Sequence, residues 1–105
     1  MDQKVEPKGK PQMSLVAWEQ LEDEARVWEH GIEGKNREPN NWRKATDIVK
    51  YKNSLGRHIA AFMSGEFFDP DSGLPHLDHA RCNIIILKNI YKKVNNGGSV
   101  DGRRD

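Results

Sequence analysis

The apolar and polar positions divide the chain into three segments with helical spacing, one intervening loop and two polar ends. After Ser14, a suitable N-cap, the residues Trp18, Leu21, Ala25, Trp28 and Ile32 recur at alternating steps of three and four, which predicts a first helix with Gly31 as its C′ residue. Glu19, Glu22, Arg26 and Glu29 run along its flank at the same spacing. A second helix is predicted from Thr46 or Asp47 to Met63, with Ile48, Tyr51, Leu55, Ile59 and Phe62 on one face and Gly65 as terminator. Gly56 either weakens that helix or admits a close neighbour. The third helix is predicted from Pro75 to about Val94, with Leu77, Ala80, Ile84, Leu87 and Tyr91 as its buried stripe. Its block Ile84-Ile85-Ile86-Leu87 is apolar almost all round, so contacts on two sides are expected, one within the protomer and one to a partner. The expected fold class is all-α, a bundle of three main helices.

Residues 1–13 have little to bury and are expected to form a flexible leader; 95–105, with Gly97-Gly98 and Arg103-Arg104, are expected to form a flexible tail. The helical domain is then 14–94. At 105 residues with 35% hydrophobic and 31% charged side chains, one domain with a modest core is expected, which makes an oligomer interface a plausible supplement. Seventeen basic against sixteen acidic residues nearly cancel, so nothing in the overall charge calls for a nucleic acid or an anionic membrane. The lone Cys82 excludes an intrachain disulfide, and no apolar run approaches the roughly 18 residues of a membrane span. A cytoplasmic location follows as the expectation.

Polar chemistry concentrates between the second and third helices. Glu66, Asp69 and Asp71 precede the turn Ser72-Gly73, and His76, His79 and Asn83 follow at i, i+3 and i+7, on one stripe of a helix. His58 falls on or beside the buried face of the second helix, next to Arg57. On the first helix, Glu19-x-x-Glu22 places two carboxylates one turn apart, suited to a hard cation such as Mg2+ or Mn2+, although a solvated acidic face has the same spacing. The loop from Gly34 to Trp42 sets Lys35, Arg37 and Arg43 around Trp42, an arrangement that suits a phosphate with a stacked base; Trp42 as a packing anchor is the alternative. His76-x-x-His79 with Asp78 and Asp69 has some of the lettering of a zinc site but lacks a certain third ligand. Cys82, inside a helix and beside an apolar run, reads as a small hydrophobe rather than a nucleophile. Divalent ions bound with a triphosphate can activate water for phosphoanhydride cleavage, one hypothesis among several that these residues allow.

The string Leu15-Val16-Ala17-Trp18-Glu19-Gln20-Leu21-Glu22, followed by Ala25-Arg26-Val27, Gly31, Lys35, Asn41-Trp42, Arg57-His58, Gly65-Glu66, Asp69, Ser72-Gly73-Leu74-Pro75-His76-Leu77, His79-Ala80 and Asn83, resembles a small phage-associated domain. That domain is described as the N-terminal domain of dATP/dGTP diphosphohydrolases and is similar to the all-α MazG-type nucleoside triphosphate pyrophosphohydrolases. The resemblance spans about Leu15 to Ile90. It implies an all-helical fold completed by homo-oligomerisation, Mg2+ dependence, and hydrolysis of a purine deoxynucleoside triphosphate to monophosphate and pyrophosphate in a host cytoplasm. Glu19, Glu22, Glu66 and Asp69 match the Glu-x-x-Glu and Glu-x-x-Asp lettering with which MazG-type enzymes hold metal, so the resemblance makes them the expected catalytic metal ligands. It implies a nucleotide pocket lined by Arg57, His58, His76, His79 and Asn83, to which the loop reading adds Lys35 and Arg43 for the phosphates and Trp42 for the base. Two other functions remain open: a protein that sequesters a nucleotide or nucleotide-derived signal without cleaving it, and a helical adaptor docking through Ile84 to Tyr91.

Overall fold

The computed structural model describes residues 9–97; of the expected leader over 1–13 and tail over 95–105, residues 1–8 and 98–105 lie outside the described residues. Short 3-10 turns at Met13–Leu15 and Trp18–Gln20 lead into α1 (Leu21–Gly34). A 3-10 turn at Asn41–Lys44 precedes α2 (Ile48–Met63), and α3 (His76–Gly97) is the last element among the described residues. The fold is all-α, and among the described residues the β structure is a single antiparallel bridge between Phe68 and Pro75.

The start of α1 differs from the expectation at Ser14. Ala17 is non-helical (φ −79°, ψ 76°), and the Trp18 indole N–H turns back to the Met13 carbonyl at 3.0 Å, so the chain winds into short turns before helix begins at Leu21. Gly31 lies inside α1 rather than ending it, and Arg37 packs over its bare Cα. α2 starts at its expected cap: the Asp47 carboxylate accepts the Lys50 N–H at 3.1 Å. It ends in a Schellman motif, with Glu66 N–H to Ala61 O and Gly65 N–H to Phe62 O, both 3.0 Å, and Gly65 at φ +104°. Nothing lies within 4 Å of the Cβ that Gly56 lacks, so that glycine admits no neighbour. α3 runs three residues past Val94, and the Asn95 amide caps back onto Tyr91 O at 2.8 Å.

α3 is the central element, packing most extensively on α2 and less on α1, while α1 and α2 do not pack on each other. Among the described residues the buried ones all belong to α3: His76, Ala80, Cys82, Asn83, Ile86 and Ile90. The expected stripe is therefore rotated. Ala80 is buried, but Leu77, Ile84 and Tyr91 are 41%, 46% and 50% exposed, and His76 and Asn83 take the inward positions beside Ala80 and Ile90. Hydrophobicity could not select the face, because the Ile84–Leu87 block is apolar in every direction. Partners decided it: a polar group left unpaired in the interior costs about 1–3 kcal/mol, and His76 and Asn83 have theirs on that side.

Polar ties fix the outer elements on α3. The Arg81 guanidinium donates to the Glu24 carboxylate (3.0 Å) and to Gln20 (3.3 Å), holding α1. Asn89 and Lys93 both donate to the Arg43 carbonyl, holding the Asn41–Lys44 turn.

Candidate functional site

Because α1 and α2 stand apart on α3, a cavity of about 900 Å³ opens between them, roofed by the loop 35–43 and floored by His79, Asn83 and Ile86. That volume falls within the range of small-molecule sites. Ten sequence candidates line it: Lys35, Trp42, Arg43, Arg57, His58, Glu66, Asp69, His76, His79 and Asn83. Glu19 and Glu22 do not. Glu19 sits in the 3-10 turn before α1, and the Glu22 side chain is 84% exposed, 3.5 Å from Arg26 on the outside of α1.

The loop between α2 and α3 folds onto itself and thereby delivers its polar groups. Asp69 N–H donates to Leu74 O and His76 N–H to Phe67 O, both at 2.8 Å, with Gly73 at φ +76° in the turn. Pro75 lies just outside the helix, and its carbonyl accepts the first helical N–H groups, from Asp78 and His79. One polar chain starts at Glu66. Its Oε1 lies 2.8 Å from His76 Nε2, and His76 Nδ1 lies 2.8 Å from His58 Nδ1. A carboxylate only accepts, so His76 Nε2 carries a proton; a neutral His76 then accepts at Nδ1, and His58 donates from Nδ1. That leaves the His58 lone pair on Nε2. The sequence pattern paired His76 with His79, whereas the fold pairs His76 with His58.

The second chain is Asp69, Ser72 and His79. Ser72 Oγ accepts the Leu74 N–H (3.1 Å), donates to Asp69 Oδ2 (3.2 Å), and lies 2.7 Å from His79 Nε2. Asp69 Oδ2 is itself 3.4 Å from His79 Nε2. Burial pushes the His79 imidazole down to about 4, reinforced by His58 and only partly opposed by Asp69. Burial likewise lowers His58, with Asp69 opposing and His76, Arg57 and Lys35 adding to the fall. For Asp69 burial acts upward, but the Asp71 N–H, His79 and the Ser72 hydroxyl outweigh it, and the carboxyl stays below its ordinary range. At neutral pH the contact is thus a carboxylate against a neutral imidazole. The His58 and His79 rings stack almost parallel (6°, centroids 4.6 Å apart), and His30 meets His79 edge-on.

Trp42 stacks on Trp28 at 5.2 Å, and the Arg43 guanidinium lies 4.4 Å from its ring centre. It anchors the loop against α1, and a base stacking on it would have to contend with both contacts. Asn83 is held by the Ser54 hydroxyl at 3.0 Å. Cys82 packs toward α1, where burial and the neighbouring Glu24 raise its thiol to about 12.

Several lining residues escaped the sequence reading. Trp28 and Tyr51 appear in it as core positions, and both half-face the cavity; Glu24, His30, Lys50 and Ser54 lack any motif that would single them out. No helix among the described residues is long and apolar enough to cross a membrane. A family model described as dATP/dGTP diphosphohydrolase, N-terminal, matches residues 2–99. No curated protein and no solved structure matches the chain significantly.

Proposed function

From the premise that the chain belongs to the dATP/dGTP diphosphohydrolase N-terminal family, we propose that it takes a purine deoxynucleoside triphosphate into the cavity between α1 and α2 and hydrolyses it, with Mg2+, to monophosphate and pyrophosphate. The observation that carries this is the lining itself: Lys35, Arg43 and Arg57 share one hollow with the carboxylates of Glu66 and Asp69. Cations of that kind bind phosphate oxygens, and the guanidinium forks of Arg43 and Arg57 suit them in a bidentate manner. Mg2+ is commonly held by one or two carboxylates together with substrate phosphates, so Glu66 and Asp69 are a sufficient protein share, and Glu19 and Glu22 are not needed. Bound there, the ion would neutralise charge on the phosphates. His76 and Ser72 orient the two carboxylates through the hydrogen bonds described above. Trp28, Trp42 and Tyr51 form the aromatic wall against which a purine would lie.

A panel of nucleoside and deoxynucleoside triphosphates with Mg2+ and a pyrophosphate readout tests the proposal. Turnover of dATP or dGTP, abolished by Arg57→Ala, is expected; no turnover of any nucleotide removes it.

The position of Glu19 and Glu22 favours a second reading. With only two of the four expected metal ligands, Glu66 and Asp69, in the hollow, the site also fits a protein that sequesters a nucleotide or nucleotide-derived signal intact. Calorimetry with and without EDTA separates the two: binding that survives chelation and returns the ligand unchanged supports sequestration. A homo-oligomer belongs to either proposal. Leu77, Ile84, Tyr91 and Val94 form an exposed apolar seam along α3 that a second copy would cover, and sedimentation velocity tests this.

A further inference from the structure

Within the cavity, one ligand atom from each of His58, Asp69 and His79 lies within 4.8 Å of the other two. We infer that these three side chains form a binding site for a divalent first-row transition-metal ion, which shares Asp69 with the Mg2+ of the proposed reaction and differs from it in having two imidazole ligands. Two imidazoles and one carboxylate select borderline ions such as Zn2+, Co2+, Mn2+ or Fe2+, whereas Mg2+ prefers oxygen ligands and retained water.

The geometry is close to what such an ion requires. Ligand atoms about 2.1 Å from a tetrahedral ion stand about 3.4 Å apart, and Asp69 Oδ2 and His79 Nε2 already stand 3.4 Å apart. His58 has to close the remaining distance, and its ring must tilt out of the parallel stack with His79 so that both lone pairs converge. The surrounding groups hold the ligands as metal sites generally do. His58 is fixed through Nδ1 by the buried His76, which is fixed in turn by Glu66, and this arrangement leaves Nε2 with its lone pair for the ion. Asp69 is fixed by the Asp71 N–H and the Ser72 hydroxyl. On the metal-free protein the Ser72 proton is committed to Asp69, so His79 Nε2 carries a proton directed at Ser72 Oγ. On binding, the ion takes the place of that proton and the ring adopts its Nδ1–H tautomer. The remaining coordination positions face the cavity, open to water or a phosphate oxygen.

The test uses the full chain stripped with EDTA, titrated with Co2+ and followed by its visible absorption bands, with Zn2+ stoichiometry read by calorimetry. One ion per chain is expected, with nitrogen-ligand Co2+ bands that persist in a large excess of Mg2+. His58→Gln, Asp69→Asn and His79→Gln should each weaken Zn2+ at least about 100-fold, and His76→Phe, which removes the support of His58, about 10–100-fold. Glu29→Gln, on the exposed face of α1, should change nothing. Far-UV circular dichroism identifies any variant that fails to fold. Zn2+ affinity unchanged in folded His58→Gln or His79→Gln overturns the site, as does displacement of Co2+ by Mg2+. No nucleotide enters the experiment, so a metal site without turnover counts against the proposed hydrolysis alone. Nucleotide turnover without Co2+ or Zn2+ binding counts against this site alone.

Discussion

Acid should unfold this protein through His79 before it reaches the carboxylates. In the unfolded chain the imidazole titrates near 6.5; in the fold burial takes it to about 4, so the two states differ over about 2.5 pH units. Between those values the unfolded chain binds a proton that the native chain refuses, and stability therefore rises with pH through the window and falls as acid is added. Integrating over one group, the loss between pH 7.5 and pH 5 comes to about 2 kcal/mol, with a ceiling of about 3.4 kcal/mol well below pH 4. His58 acts in the same direction, since its burial also favours the neutral ring. Asp69, held below its ordinary range, withdraws stability only in more acidic solution, and Asp78, raised by burial and Asp23, opposes weakly near its own titration. Guanidinium unfolding in EDTA, followed by the fluorescence of Trp28 and Trp42, measures the effect at pH 7.5, 6 and 5. The native chain should lose about 2 kcal/mol or more across that range, and His79→Gln should lose about 2 kcal/mol less. Equal pH slopes in the two proteins, or no slope in the native chain, would show that His79 is not held neutral by the fold.

Two glycines should respond in opposite directions. Gly73→Ala, at φ +76°, should lower stability by about 1–2 kcal/mol and loosen the loop carrying Asp69, whereas Gly56→Ala, in open space on α2, should raise it by about 0.5–1 kcal/mol; thermal melts of both decide. Ile90→Ala, at a buried position of α3, should cost about 2–4 kcal/mol in denaturant unfolding. Cys82, buried and held protonated up to about 12, should resist a thiol reagent at pH 8 at a rate set by unfolding, and rapid labelling of native protein would contradict its packing toward α1.

Both ends of α2 and the start of α3 were legible because their causes are local. Asp47 caps α2 and Gly65 terminates it through groups within five residues, and the Ser72-Gly73-Leu74-Pro75 turn leads into α3 for the same reason. Ala17 defeated the reading of α1 because the turn at Met13–Leu15 and the Trp18 bond to Met13 compete with a helix that spacing allows. The clustering of Lys35, Arg57, His58, Glu66, Asp69, His76 and His79 around one hollow was anticipated from their residue types and a motif, without the distances.

What the amino-acid order determined is an all-α chain with three amphipathic segments and a polar turn rich in acidic and imidazole groups, since capping, glycine conformation and helical periodicity act over a few residues. Which face of α3 turns inward, and hence that Leu77, Ile84 and Tyr91 lie outward while His76 and Asn83 are buried, was settled only by tertiary structure. So were the separation of Glu19 and Glu22 from the cavity and the meeting of His58 with His76 and His79. Those outcomes depend on hydrogen-bond partners that lie on other elements, and periodicity along one helix carries no information about where those partners stand.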